Sequence, residues 1–146
     1  MGEGRLVITR LNQSMVATLE GGIDAAELAD LVNSLSAAQA SRNVDSVVFE
    51  VSACEVMDVD EFAELQKAVR TVEWLGLRCV VAGLRPGIVA YVVSSGVELG
   101  TLRTALDLEL ALEQLNADGD EQEPEHDDEP GRDDEPELEP DSFRSL

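Results

Sequence analysis

Between Ser46 and Leu75 the chain changes from one hydrophobic rhythm to another. Val47, Val48, Phe49 and Val51 form a β-branched run, the pattern of a strand buried on both faces. A polar, acidic link from Glu55 to Asp60 follows. Phe62, Leu65, Ala68, Val69 and Val72 then recur at spacings of three and four, which predicts a helix. Asp58 or Asp60 is placed to be its N-cap, with Glu61 in the acidic first turn that a helix dipole favours. The centre of the chain is thus a strand, a short exposed loop and a helix. In open α/β sheets such a carboxyl-end loop is where ligands and partners dock.

The same reading extends in both directions. Arg5–Leu11 and Ser14–Glu20 read as strands joined at Asn12-Gln13 in a hairpin, and Gly21-Gly22 ends the second. Asp24, with Glu27 three residues on, marks the start of a helix whose stripe is Ala25, Leu28, Leu31, Val32 and Leu35. Ser41–Asp45 is a loop. After the central unit, Gly76 is placed to close the helix as its C-cap, and Leu77–Ala82 is another buried strand. Pro86 suits the first turn of a further helix, with Ile88, Val89, Val92 and Val93 on its apolar face. An edge strand is expected near Leu102, and a last helix from Leu106 to Leu115, with Leu106, Leu110, Ala111 and Leu115 turned inward. The order β-β-α-β-α-β-α-β-α implies an α/β fold: a small mixed sheet packed against about four helices.

Charge divides the 146 residues. Positions 116–146 hold 14 of the 31 acidic residues and four of the five prolines, so a disordered acidic tail is expected after a domain of residues 1–115. A net charge of -21 argues against nucleic acid as a partner, because phosphate contacts need basic side chains. No stretch has the length of a membrane span or the apolar core of a signal peptide, and a cytoplasmic protein is expected.

Candidate chemistry is sparse. The one histidine, His126, lies in the acidic tail, and Cys54 and Cys79 are 25 positions apart and read as reduced core thiols. Ser52 and Ser94 have no histidine in the domain to activate them. The loop from Gly83 to Gly87 lacks the lysine and serine of a phosphate cradle. These observations imply no catalytic residue, no cofactor and no metal. The one chemical oddity is the cluster Glu50, Glu55, Asp58, Asp60 and Glu61, read as a solvated loop and helix cap, a surface for a partner, or a site for a hard cation. Arg85 is expected to pair with that cluster if the two loops adjoin. Tyr91 and Trp74 are candidates for part-exposed interface aromatics.

Three stretches resemble the STAS domain, the fold of anti-sigma factor antagonists, and within it the stressosome branch of RsbS and the RsbR C-terminal type. They are EVSACEVMDVDEFAEL at 50–65, LGLRCVVAGLRPGIVAYVV at 75–93 and GVELGTLRTAL at 96–106. The resemblance covers about Leu6 to Leu115, and its Gly83-Leu84-Arg85-Pro86 motif is rather specific. It implies a non-enzymatic protein that assembles, as a homo- or hetero-oligomer, with RsbR-like sensor-STAS proteins and sequesters an RsbT-like switch kinase in stress signalling. It also implies a partner-binding loop at Asp58, Val59, Asp60 and Glu61, joined by Arg85, Pro86 and Tyr91.

The chain departs from the family pattern at the position that matters for switching. Where the family carries a phosphorylatable Ser or Thr after the loop aspartate, this chain has Val59, followed by the fixed charges of Asp60 and Glu61. A second family phosphorylation position aligns with Tyr91. The loop is then either a standing substitute for the phosphorylated state or a scaffold that no longer switches. The acidic tail is either a solubilising bristle or a regulator of assembly through charge repulsion. On the second view, assembly strengthens with salt or on tail removal.

Overall fold

The computed structural model describes residues 5–40 and 43–128. Its elements follow the expected order: β1 (Arg5–Leu11), β2 (Ser14–Glu20), α1 (Ala25–Ala40), β3 (Ser46–Ala53), α2 (Val59–Trp74), β4 (Arg78–Ala82), α3 (Pro86–Ser94), β5 (Thr104–Ala105) and α4 (Leu108–Asp128). The five strands form one sheet in the order β1-β2-β3-β4-β5. β1 and β2 pair antiparallel across a turn in which Asn12 takes a positive φ of 56°, while β2, β3, β4 and β5 run parallel. A positive φ is tolerated by asparagine better than by most side chains, so Asn12 suits the hairpin.

The parallel register aligns Ala17 with Phe49 and Phe49 with Val81, and on the next row Val16 with Val48 and Val48 with Val80. Successive residues of a strand point to opposite faces. All six of these side chains are nonetheless buried, so the centre of the sheet is covered on both faces, as the continuous apolar runs require. Ala17, Phe49 and Val81 belong to the main core with Leu28, Leu31 and Leu35 of α1 and the five expected residues of α2. Ser46 is buried at the start of β3, where its hydroxyl and that of Ser14 share a 2.6 Å hydrogen bond. β1, by contrast, lies at the edge of the sheet and leaves Val7, Ile8 and Leu11 exposed.

The first helix starts where Asp24 was expected to cap it: Asp24 Oδ1 accepts from the Ala26 N–H at 2.9 Å and from the Glu27 N–H at 3.4 Å. Gly76, with φ 91°, takes the left-handed conformation that ends α2. Several inward assignments were too generous. Ala25 is exposed, and Val93 of α3 is half-exposed, leaving Ile88 and Val92 as that helix's buried pair. A nine-residue helix resting on the sheet has room for one narrow stripe. Leu106 precedes the last helix and is exposed, and Leu110 is part-exposed, whereas Ala111 and Leu115 are buried.

The chain divides into two units, Met1–Glu113 and Gln114–Leu146. The stretch expected to be disordered from 116 continues as helix to Asp128, and the rest of that expectation, 129–146, lies outside the described residues.

Candidate functional site: the acidic loop and the third helix

Because β2, β3, β4 and β5 run parallel, their carboxyl ends share one end of the sheet. The segments that leave them there, 21–24, 54–58 and 83–85, are therefore neighbours. Three sets of contacts tie them together.

The first is the cap of α2. Asp58 is the N-cap, with extended backbone at φ -85° and ψ 176°. The Glu61 N–H donates to Asp58 Oδ1 at 2.8 Å, and the Asp58 N–H donates to Glu61 Oε1 at 3.0 Å. This reciprocal capping box satisfies two backbone donors that a helix start leaves open. Of the two residues considered for the cap, Asp58 fills it, and Asp60 stands exposed in the first turn. The second is the other oxygen of Glu61, Oε2, which accepts from the Ile23 N–H in the segment after β2 at 3.2 Å.

The third contact is with the loop after β4. Gly83 has φ +82°, and a Cβ on it would lie 2.8 Å from Ser52 Cβ and 3.0 Å from Ser52 N. Only glycine permits so close an approach in that conformation. Two residues on, Arg85 donates from Nη2 at 2.7 Å and from Nε at 3.1 Å to the Ser52 carbonyl oxygen. The loops adjoin, as expected, but the guanidinium grips a main-chain carbonyl at the end of β3 rather than a carboxylate of the acidic cluster. A carbonyl at a strand end has a free lone pair facing the next loop, and side-chain spacing in the sequence cannot reveal it.

Above these ties lies an open groove of about 510 Å³, lined by Glu55, Val56, Met57, Asp58, Glu61, Gly87, Ile88 and Tyr91. Val56 is 80% exposed and Tyr91 50%, so the groove presents apolar surface beside carboxylates. Asp58 and Asp60 are exposed and Val59 is half-buried in the first turn of α2. Pro86 occupies the first position of α3, where its missing N–H costs nothing. Trp74, at the far end of α2, is 83% exposed and does not line this groove.

Both cysteines are free and buried. Cys54 is the buried first residue of the loop and donates from Sγ to the Leu19 carbonyl at 3.5 Å. Burial, aided by the charge of Glu61, pushes its pKa up to about 11, and burial raises that of Cys79 as well. Neither thiol is poised as a nucleophile. Among the described residues no group of three or more His, Cys, Asp or Glu side chains could hold a metal ion, so the carboxylates around the groove do not converge on a cation. No helix among the described residues is long and apolar enough to cross a membrane.

This architecture, a hairpin-led mixed sheet with an acidic loop before α2 and a glycine-arginine-proline entry to α3, is that of a STAS domain. The same fold is found in RsbS and SpoIIAA structures, and the sequence is similar to an RsbR-type protein. A serine-to-glutamate variant of RsbS from Moorella thermoacetica superposes with a TM-score of 0.65 at 25% identity, covering 80% of this chain and 98% of that one. A chain from the molecular architecture of the stressosome, described as a signal integration and transduction hub, gives a TM-score of 0.57 at 25% identity over 77% of this chain and 98% of its own. The anti-sigma factor antagonist SpoIIAA in its unphosphorylated form shares the fold, with a TM-score of 0.56 at 17% identity.

In sequence, the RsbT co-antagonist protein RsbRB of Bacillus subtilis (strain 168) is 24% identical over 106 residues, which is 73% of this chain. The chain spans 38% of the length of that relative. No protein-family profile matches the chain.

Proposed function

We propose that this chain is a non-enzymatic, RsbS-like STAS antagonist that works by contact with other proteins in stressosome-type signalling. Its contact face is the acidic loop before α2 together with the start and middle of α3: Asp58, Val59, Asp60, Glu61, Arg85, Pro86 and Tyr91. The observation that carries this reading is the exposed groove between loop and helix. There Tyr91 and Val56 offer apolar area next to the charges of Asp58 and Glu55, a mixture suited to protein recognition. The partners are RsbR-like sensor-STAS proteins and an RsbT-like switch kinase, in a homo- or hetero-oligomer. Residues 1–115 are the binding domain, and the acidic tail from 116 tunes assembly by charge.

Val59 stands where the family's hydroxyl would be, so the loop is not switched by phosphorylation at that position. Mixing the purified chain with an RsbR-like sensor-STAS protein and measuring particle mass by light scattering tests the proposal. A particle in the megadalton range is expected. Two components that stay at their separate masses, at every salt concentration tried, would refute it.

A further inference from the structure

Glu61 is placed in the contact loop by sequence and lines the groove, and its carboxylate is tied to the main chain of its own domain. Oε1 accepts from the Asp58 N–H and Oε2 from the Ile23 N–H, and its own N–H is taken by Asp58 Oδ1. Both oxygens of the carboxylate are thus engaged, each with a main-chain donor from a different segment. The residue is only part-exposed, in contrast to Asp60 one position earlier, whose side chain is exposed and makes no hydrogen bond among the described residues. Charge-assisted bonds from a carboxylate to N–H groups are stronger than neutral ones.

We infer that Glu61 is a positioning residue, a clasp that makes the loop after β2 (21–24) and the loop before α2 (54–58) move as one body. Arg85 fixes the end of β3 from the other side, through the Ser52 carbonyl, and does not reach the 21–24 segment. The clasp therefore adds a main-chain tie between the two loops to the anchoring that buried Cys54 and Met57 give the acidic loop. Gly21, with φ 75°, and Gly22 give the start of the 21–24 segment little stiffness of its own; Asp24 ties its far end to α1, Ile23 packs against the core, and the Glu61 bond holds the Ile23 main chain. The Glu61 carboxylate is thus held in place at the groove, while Glu55, Asp58 and Asp60 carry the more exposed charge beside it. In its bearing on recognition this inference rests on the proposed contact face; the clasp itself does not.

The test uses the full chain, without any partner. Amide hydrogen exchange is measured by NMR for the wild type and for Glu61→Ala, Glu61→Gln and Asp60→Asn. Glu61→Ala should speed exchange at both Ile23 and Asp58 by roughly tenfold, the factor expected for losing one charge-assisted bond at each amide. Glu61→Gln should raise exchange at one of the two only, because its amide offers a single acceptor. Asp60→Asn removes the same charge and should change neither. Exchange at Val48 in the sheet centre serves as the control that each variant is folded.

Unchanged exchange at Ile23 in folded Glu61→Ala would overturn the inference, as would an equal response to Asp60→Asn. Light scattering with the sensor-STAS protein is read separately. An intact clasp with no particle formed would fault the contact-face reading and leave the clasp standing.

Discussion

Helices α2 and α3 both begin at the carboxyl end of the sheet, and their first turns are held by different means. At α2 the work is done by side chains: Asp58 and Glu61 cap each other's backbone, and Glu61 reaches across to Ile23. At α3 the N-cap residue Arg85 makes no side-chain cap bond. Its guanidinium is used on Ser52, Pro86 fixes the first turn through its ring, and Gly83 brings the chain against β3. One entrance is built from side-chain carboxylates bonded to the main chain, and the other from backbone geometry that few residues can supply. The difference teaches where each is sensitive: at α2 to the side chains of Asp58 and Glu61, at α3 above all to the absence of a Cβ at Gly83.

The largest effect should therefore come from the geometric side. Gly83→Ala places a Cβ in a left-handed conformation and against Ser52, and should lower stability by about 2–4 kcal/mol, read as a fall in the denaturant midpoint with an unchanged m-value. If Gly83→Ala proves as stable as wild type, the contrast between the two entrances dissolves. Asp58→Ala removes the cap of α2 and should cost about 1 kcal/mol, with the core intact by near-UV circular dichroism. Arg85→Ala loses two bonds to an exposed carbonyl and should cost somewhat less, roughly 0.5–1 kcal/mol. Trp74→Ala, at a site outside both entrances and almost fully exposed, should shift the midpoint by less than about 0.5 kcal/mol. A larger loss there would mean that Trp74 has a structural partner.

Cys54 gives a finer reading of the α2 side. Its pKa is raised from 9.0 to about 11, so the thiol form is the one the fold favours. The stability this contributes is intact below pH 9.0 and is lost as pH rises through about 11, because the unfolded thiol ionises first. At pH 8 alkylation of Cys54 should be slow in the wild type. It should quicken in Glu61→Ala, where its loop loosens. Equal rates in the two proteins would show that Glu61 does not govern access to the thiol.

Much of this arrangement could be read from the sequence. The two opening strands, the turn at Asn12 and the five buried positions of α2 coincide with the hydrophobic rhythm, and on α2 burial follows the helical period. The capping box was also legible: Asp58-Val59-Asp60-Glu61 has the same spacing as Asp24 and Glu27, and that signal would have separated Asp58 from Asp60. Three features were out of reach. Arg85 invites pairing with carboxylates because charge is visible in a sequence and a free carbonyl is not. The second acceptor role of Glu61 depends on the 21–24 segment arriving beside it, 38 residues away along the chain. Helical spacing turns Leu106 and Leu110 inward, but Leu106 precedes the last helix, which begins at Leu108, and Leu110 lies on that helix with its side chain part-exposed.

The opening strand carries a consequence of its own. β1 is the outermost strand of the sheet, and Val7, Ile8 and Leu11 keep part of their surface in water. A seven-residue edge with apolar side chains on both faces is a template on which stray extended chains can grow. Arg5 and Arg10, the strand's only ionisable side chains, bracket that surface, and repulsion between like charges keeps two such edges from zipping together in antiparallel register. Neutralising both would convert the border of the sheet into a nucleus for aggregation, first seen as turbidity on gentle warming.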